Sequence, residues 1–106
     1  MPKYLISGSY TAEGAKGLLK DGGSKRRQVA EAALKSVGGK IEAFYFAFGE
    51  QDLYVIVDAP DNQAVAAASL AISSGGGFQT KTVVLLTPEE IDKATKTTTI
   101  YQPPGR

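Results

Sequence analysis

The stretch KIEAFYFAFGEQDLYVIVDA, residues 40 to 59, constrains the fold of this chain most tightly. Two runs, 40–48 and 52–59, are dense in aromatic and β-branched residues and are separated by Gly49-Glu50-Gln51, the pattern of two antiparallel strands joined by a tight turn. Side chains alternate along a strand, which predicts Phe44, Phe46 and Phe48 on one face and Ile41, Ala43, Tyr45 and Ala47 on the other. In the second run Leu53, Val55 and Val57 alternate with Tyr54 and Ile56. Both faces of the hairpin are therefore apolar, and each needs a cover, because monomers rarely leave a large contiguous apolar patch in water.

The flanking sequence supplies helices for one face only. Residues 3–10 read as a strand. Thr11 is a good cap for a helical stretch, 12–21, that Gly14 and Gly17 weaken by roughly 1 kcal/mol each. Ser24 is expected to cap the next helix, whose apolar stripe is Val29, Ala30, Ala33, Leu34 and Val37 and which ends at Gly38-Gly39. Residues 60–77 begin with Pro-Asp, run through an alanine-rich segment and stop at three glycines, again a helix. A fourth strand is expected at 78–86. Thr87-Pro88-Glu89-Glu90 forms a capping box for a short helix running to about Lys96. The order strand, helix, strand, strand, helix, strand leads to an α+β, ferredoxin-like βαββαβ sandwich with a short C-terminal helix, and leaves few other topologies. Residues 1–96 form its single domain and 97–106 a tail. With both main helices on one side of the sheet, the other side is expected to be covered by a second copy of the chain in a homodimer or a higher homo-oligomer. The helix beginning near Asp61 has no charged residue after it, so its outer side is expected to be covered by the C-terminal segment or another subunit.

Composition removes several function classes. Twelve basic against eleven acidic residues give a net charge of +1, too small a field to hold a polyanion, so nucleic acid is not an expected partner. Without Cys or His the chain offers no soft or imidazole ligands, and neither a metal nor a cofactor is expected. The start, Met1-Pro2-Lys3 followed by YLISGSY, lacks the apolar stretch of a signal peptide or membrane span, which points to a cytoplasmic protein with no membrane partner.

One turn stands out chemically. Lys25, Arg26 and Arg27 occupy the first turn of a helix, the end that already carries positive character. Helical spacing from Ala30, Ala33 and Val37 places Arg26 on the core-facing stripe. Free first-turn amides near Ser24, with Arg26 and Arg27, would suit a carboxylate or phosphate at a cleft mouth. The alternative is that the cations are solvated, or offset by Asp21 and by Glu31. Tyr10 and Tyr45 are the proton donors the sequence offers near such a cleft, with Asp52 and Glu42 as bases. Strand aromatics are more often core, however, and an aspartate beside a turn more often bonds the backbone. No catalytic residue is assigned.

Several of these segments together, YTAEGAKGL, GGSKRR, GGKIEAFYFAFGEQD, VIVDAPDN and TKTVVLLTPEE, resemble the GYD domain family over about residues 3 to 95. The resemblance implies a ferredoxin-like fold of the dimeric α/β barrel type and face-to-face dimers. The Gly-Tyr-Asp signature of that family corresponds here to Gly49, then Gln51 and Asp52, with glutamine where tyrosine is usual. The resemblance implies no single reaction, and three readings stay open. The chain could be an oligomer that binds a small anionic or aromatic molecule between sheet and helices, with Tyr10, Ser24, Arg26, Arg27, Tyr45 and Asp52 as candidate ligand-binding residues. It could be a cofactor-independent monooxygenase or isomerase, although enzymes resembling this fold commonly use His, Trp or Asn and this chain has no His, no Trp and one Asn, Asn62. Or it could be a structural assembly module.

Overall fold

The computed structural model describes all of residues 1–106. In chain order the elements are β1 (Lys3–Tyr10), α1 (Ala12–Asp21), α2 (Gly23–Ser36), β2 (Lys40–Phe46), β3 (Leu53–Asp58), α3 (Asn62–Ser74), β4 (Phe78–Leu85) and α4 (Pro88–Thr95). The sheet runs β2-β3-β1-β4 with every neighbouring pair antiparallel. β1 and β2 are thus parallel to each other across β3, and β3 and β4 across β1, so α1 with α2 forms one crossover and α3 the other. This is the expected ferredoxin-like α+β fold.

The first crossover is two helices. Thr11 caps α1, its hydroxyl accepting the Gly14 N–H at 3.1 Å. The chain then breaks at Gly22, whose φ of +81° is left-handed and free of strain only for a residue without Cβ. α2 starts at Gly23, so Ser24, expected as its cap, lies within the first turn, and Gly22 is the capping residue with no side-chain bond. At Gly23 a Cβ would lie 2.9 Å from the Phe46 ring, so a larger residue there would push that exposed ring aside.

The core lies between the sheet and α2 with α3. Tyr4 and Ile6 of β1, Leu53, Val55 and Val57 of β3, Leu34 of α2 and Val65 of α3 are buried together. Tyr4 is 1% exposed, and its hydroxyl donates to Asn62 Oδ1 at 2.6 Å, so its buried polar end is paired and the start of α3 is tied to β1.

Two local expectations are corrected. The register of β2 against β3 shifts between Ile41 and Ala43, a bulge at Glu42, so Ile41 joins Phe44 and Phe46 on the helix side and only Ala43 and Tyr45 face the other way. The turn spans residues 47–52 instead of Gly49-Glu50-Gln51 alone, and Phe48 in that loop is fully exposed.

α4 carries the complete capping box, with the Thr87 hydroxyl accepting the Glu90 N–H at 3.1 Å and Glu90 Oε1 accepting the Thr87 N–H at 3.0 Å. No hydrogen bond joins α4 or residues 97–106 to the sheet or to α1–α3. The C-terminal segment, one of the two covers expected for α3, does not cover it: Leu70, on its outer side, is 71% exposed. A helix of this length is marginal without packing, so its caps decide whether it forms. Thr87→Ala is expected to destabilise α4 by about 1 kcal/mol and strip exchange protection from its amides, with the unfolding midpoint of the sandwich unchanged. The backbone N–H of Thr87 holds the Glu90 carboxyl below its usual value. A lowered folded value means that this contribution is present above the ordinary glutamate range and lost as pH falls through the lowered one, so amide exchange should also show α4 fraying in acid.

Candidate binding surfaces

A cleft opens between the sheet and the pair α2 and α3. Its inner chamber, about 90 Å³, is walled by Ile6, Val29, Ala33, Ile72 and Phe78 among other apolar side chains, with Arg26 and Tyr10 as its polar lining besides Thr80. It widens into an outer groove of about 420 Å³ that shares Tyr10, Arg26, Val29, Ala33, Ile72 and Phe78 and is edged by Gly14, Gly17, Gly75 and Gly77. Of these, Gly14 is there because α1 passes close to the loop after α3: a Cβ on Gly14 would sit 1.8 Å from the Gly77 carbonyl oxygen, and the Thr11 N–H donates to that same oxygen at 3.1 Å.

Arg26 reaches this cleft, as the helical spacing requires, while Ser24, Lys25 and Arg27 are exposed outside its lining. The three cations at the start of α2 are tolerated for a local reason. α1 ends where α2 begins, with the Gly22 N–H on Leu18 O at 2.8 Å and the Arg26 N–H on Gly22 O at 3.3 Å. The negative end of one helix thereby meets the positive end of the next. Asp21, the last residue of α1, lies 3.6 Å from Arg26 Nη1, and Glu31 lies 3.9 Å from Arg27 Nε.

Tyr10 sits at the end of β1 with its ring 4.8 Å from that of Phe78. Burial pushes its hydroxyl above the ordinary phenol value, and the nearby Arg26 charge and hydrogen bond partly offset that effect. Asp52 is held in a backbone role. Its Oδ2 accepts the Tyr10 N–H at 2.9 Å, its own N–H donates to Gly8 O at 2.8 Å, and its carbonyl accepts the Ala47 N–H at 2.9 Å. This bonding closes the loop against β1 and leaves no carboxylate bonded to the Tyr10 hydroxyl. Tyr45 pairs with Tyr54 on the opposite face of the sheet, 72% exposed, and so does not share the cleft with Tyr10. Of the candidate residues, the structure brings Tyr10, Arg26 and the backbone-bound Asp52 together and separates Ser24, Arg27 and Tyr45 from them.

That opposite face is a second surface. Register places Ala43 beside Ile56, Ile56 beside Leu5 and Leu5 beside Val83, an apolar row crossing all four strands. The next row is Tyr45, Tyr54, Ser7 and Lys81. At the other end Lys3 donates to Glu42 at 2.7 Å and to Asp58 at 2.9 Å, which keeps its ammonium above the usual lysine value. Asp58 is 8% exposed and, with Lys3 as its partner, is not left as an isolated buried charge. Sequence alone does not reveal this cluster, because Lys3 and Asp58 are 55 positions apart and meet only through strand pairing. No element of the chain covers the face. No helix is long and apolar enough to cross a membrane.

The GYD domain family model matches residues 4–95. The chain belongs to the GYD domain family. A relative of this GYD domain in Thermus thermophilus, named glutamine synthetase and cystathionine beta-lyase binding protein, is 29% identical over 83 residues, covering 78% of this chain and 86% of that protein. No solved structure matches this chain. The relative's name corrects the expected partner, a second copy of the chain: it gives that protein two other enzymes as its partners.

Proposed function

We propose that this GYD domain is a cytoplasmic protein-binding module that docks another protein, an enzyme, on the open face of its sheet. The observation that carries this is the uncovered row Ala43, Ile56, Leu5 and Val83, flanked by exposed Tyr45 and Tyr54 and bordered by the Lys3, Glu42 and Asp58 charges. An apolar centre with tyrosines and a charged rim is the anatomy of a protein interface. The relative named for binding two enzymes supports it. Glutamine synthetase and cystathionine beta-lyase from the same organism are the first probes. Tyr45→Glu should weaken binding of the purified enzyme to the immobilised GYD domain by roughly tenfold or more, since truncated interface aromatics commonly cost above 1 kcal/mol. Leu70→Glu, on the far side, should leave it unchanged. Equal affinity for Tyr45→Glu and the parent would reject the open face as the dock.

The cleft favours a second, compatible reading: a small anionic or aromatic molecule bound between sheet and helices. Its apolar walls with Arg26 and Tyr10 at one side have the composition of a ligand pocket. Because the cleft and the open face lie on opposite sides of the sheet, one does not exclude the other.

A further inference from the structure

We infer that the cleft is selective for a monocarboxylate carrying one compact apolar body, a single ring or a branched alkyl chain, with the carboxylate on Arg26 and the body in the inner chamber. This rests on the reading of the cleft as a small-molecule site and names its ligand class.

Size limits the body. An apolar protein cavity of about 150 Å³ takes one benzene. The inner chamber, at about 90 Å³, holds a ring only where it opens into the outer groove, so the part of the body seated in the chamber itself is no larger than one ring. The walls from Ile6, Val29, Ile72 and Phe78 offer the body dispersion contacts and no hydrogen bonds.

Charge and geometry select the head. Arg26 is the one charged side chain in the lining of both chamber and groove. Its nearest carboxylate, Asp21, is 3.6 Å from Nη1, longer than the 2.7–2.9 Å of a charge-assisted bond, so Asp21 does not hold the guanidinium in a bidentate pair and a ligand carboxylate can compete for it. Tyr10, neutral at physiological pH, lines the same space and can add a hydroxyl donor. A phosphate dianion fits poorly, with one cation to meet two charges and Asp21 close by.

Calorimetric titration of the full chain with benzoate, its neutral isostere benzamide and sulfate tests this. Benzoate should bind at least tenfold more tightly than benzamide, and sulfate should give no saturable binding. Arg26→Gln should weaken benzoate roughly 10- to 100-fold and leave benzamide nearly unchanged. Asp21→Asn, which releases Arg26 from its only competing carboxylate, should tighten benzoate, and so provides a second readout if the Arg26 variant does not fold. Ala33→Phe, which fills the chamber, should abolish both in a protein that still melts cooperatively. Equal binding of benzoate and benzamide would overturn the carboxylate class while leaving a small-molecule cleft in place. Saturable sulfate binding as tight as benzoate would reduce Arg26 to a general anion contact. No binding of either aromatic probe, or binding that survives Ala33→Phe, would overturn the cleft as a small-molecule site altogether.

Discussion

Leu34→Ala is expected to lower the unfolding free energy by about 2–5 kcal/mol, the largest stability loss of any single truncation on α2. Leu34 is 2% exposed and is the one buried residue of that helix, so it is the main attachment of α2 to the sheet. Its environment is tight on one side, where a Cβ on Gly39 would lie 3.2 Å from Leu34 Cδ1, and open on the other, where it lines the cleft chamber. Removing its methyl groups enlarges a space that the walls already leave unfilled, and the sheet behind it cannot collapse to follow. Small domains have only about 5–15 kcal/mol to lose, so the change should be plain in urea denaturation as a large drop in midpoint. Val29→Ala is the control. Val29 borders the same cleft but is 40% exposed, so its loss should be about 1 kcal/mol or less. Equal losses for the two would mean that α2 is not pinned through Leu34.

Ile56→Lys should separate docking from folding. Ile56 stands at the centre of the open-face row, between Ala43 of β2 and Leu5 of β1. A partner that buries this row would have to desolvate an ammonium with no facing carboxylate arranged for it, whereas in the free protein the lysine stem lies along the sheet and its charge stays in water. Binding of a partner enzyme should fall by more than thirtyfold, the effect of a hot-spot residue costing about 2 kcal/mol or more, while thermal unfolding shifts by only a few degrees. A variant that binds normally would exclude the centre of the row from the interface.

The sandwich was legible because its local signals agree with its topology. Thr11 and the Thr87 to Glu90 box cap helices where expected, and the helix expected from near Asp61 starts there, with Asp61 Oδ1 accepting the Ala64 N–H at 2.8 Å. The alternation of β3 also reads correctly, Leu53, Val55 and Val57 being buried. What failed depended on a single residue's departure from the repeat. The Glu42 bulge moves Ile41 across the sheet, and no periodicity announces a bulge. Gly22 displaced the cap of α2 by two residues from Ser24, because a left-handed glycine can end one helix and begin the next without a side-chain cap. At the candidate site, spacing alone carried Arg26 to the cleft, since a helix fixes which residues share a face. Tyr45 could not be placed by the same means, because alternation sets it opposite Phe44 and Phe46 without saying which of the two faces the helices cover. The apolar open face was visible in the alternation of residues 40–59, but the identity of any cover depends on another molecule's surface, which the chain does not encode.

Hydroxyl-radical footprinting of the GYD domain, free and saturated with a partner enzyme, tests the open-face dock at side-chain level. Tyr45 and Tyr54 are exposed on the open face, while Leu19 on α1, Leu70 on α3 and Tyr101 in the tail are exposed elsewhere and serve as internal references. The expected result is protection from oxidation at Tyr45 and Tyr54 on binding, with Leu19, Leu70 and Tyr101 oxidised as in the free protein. Protection at Leu19 or Leu70 with Tyr45 and Tyr54 still fully oxidised would place the partner on the helical side and contradict it.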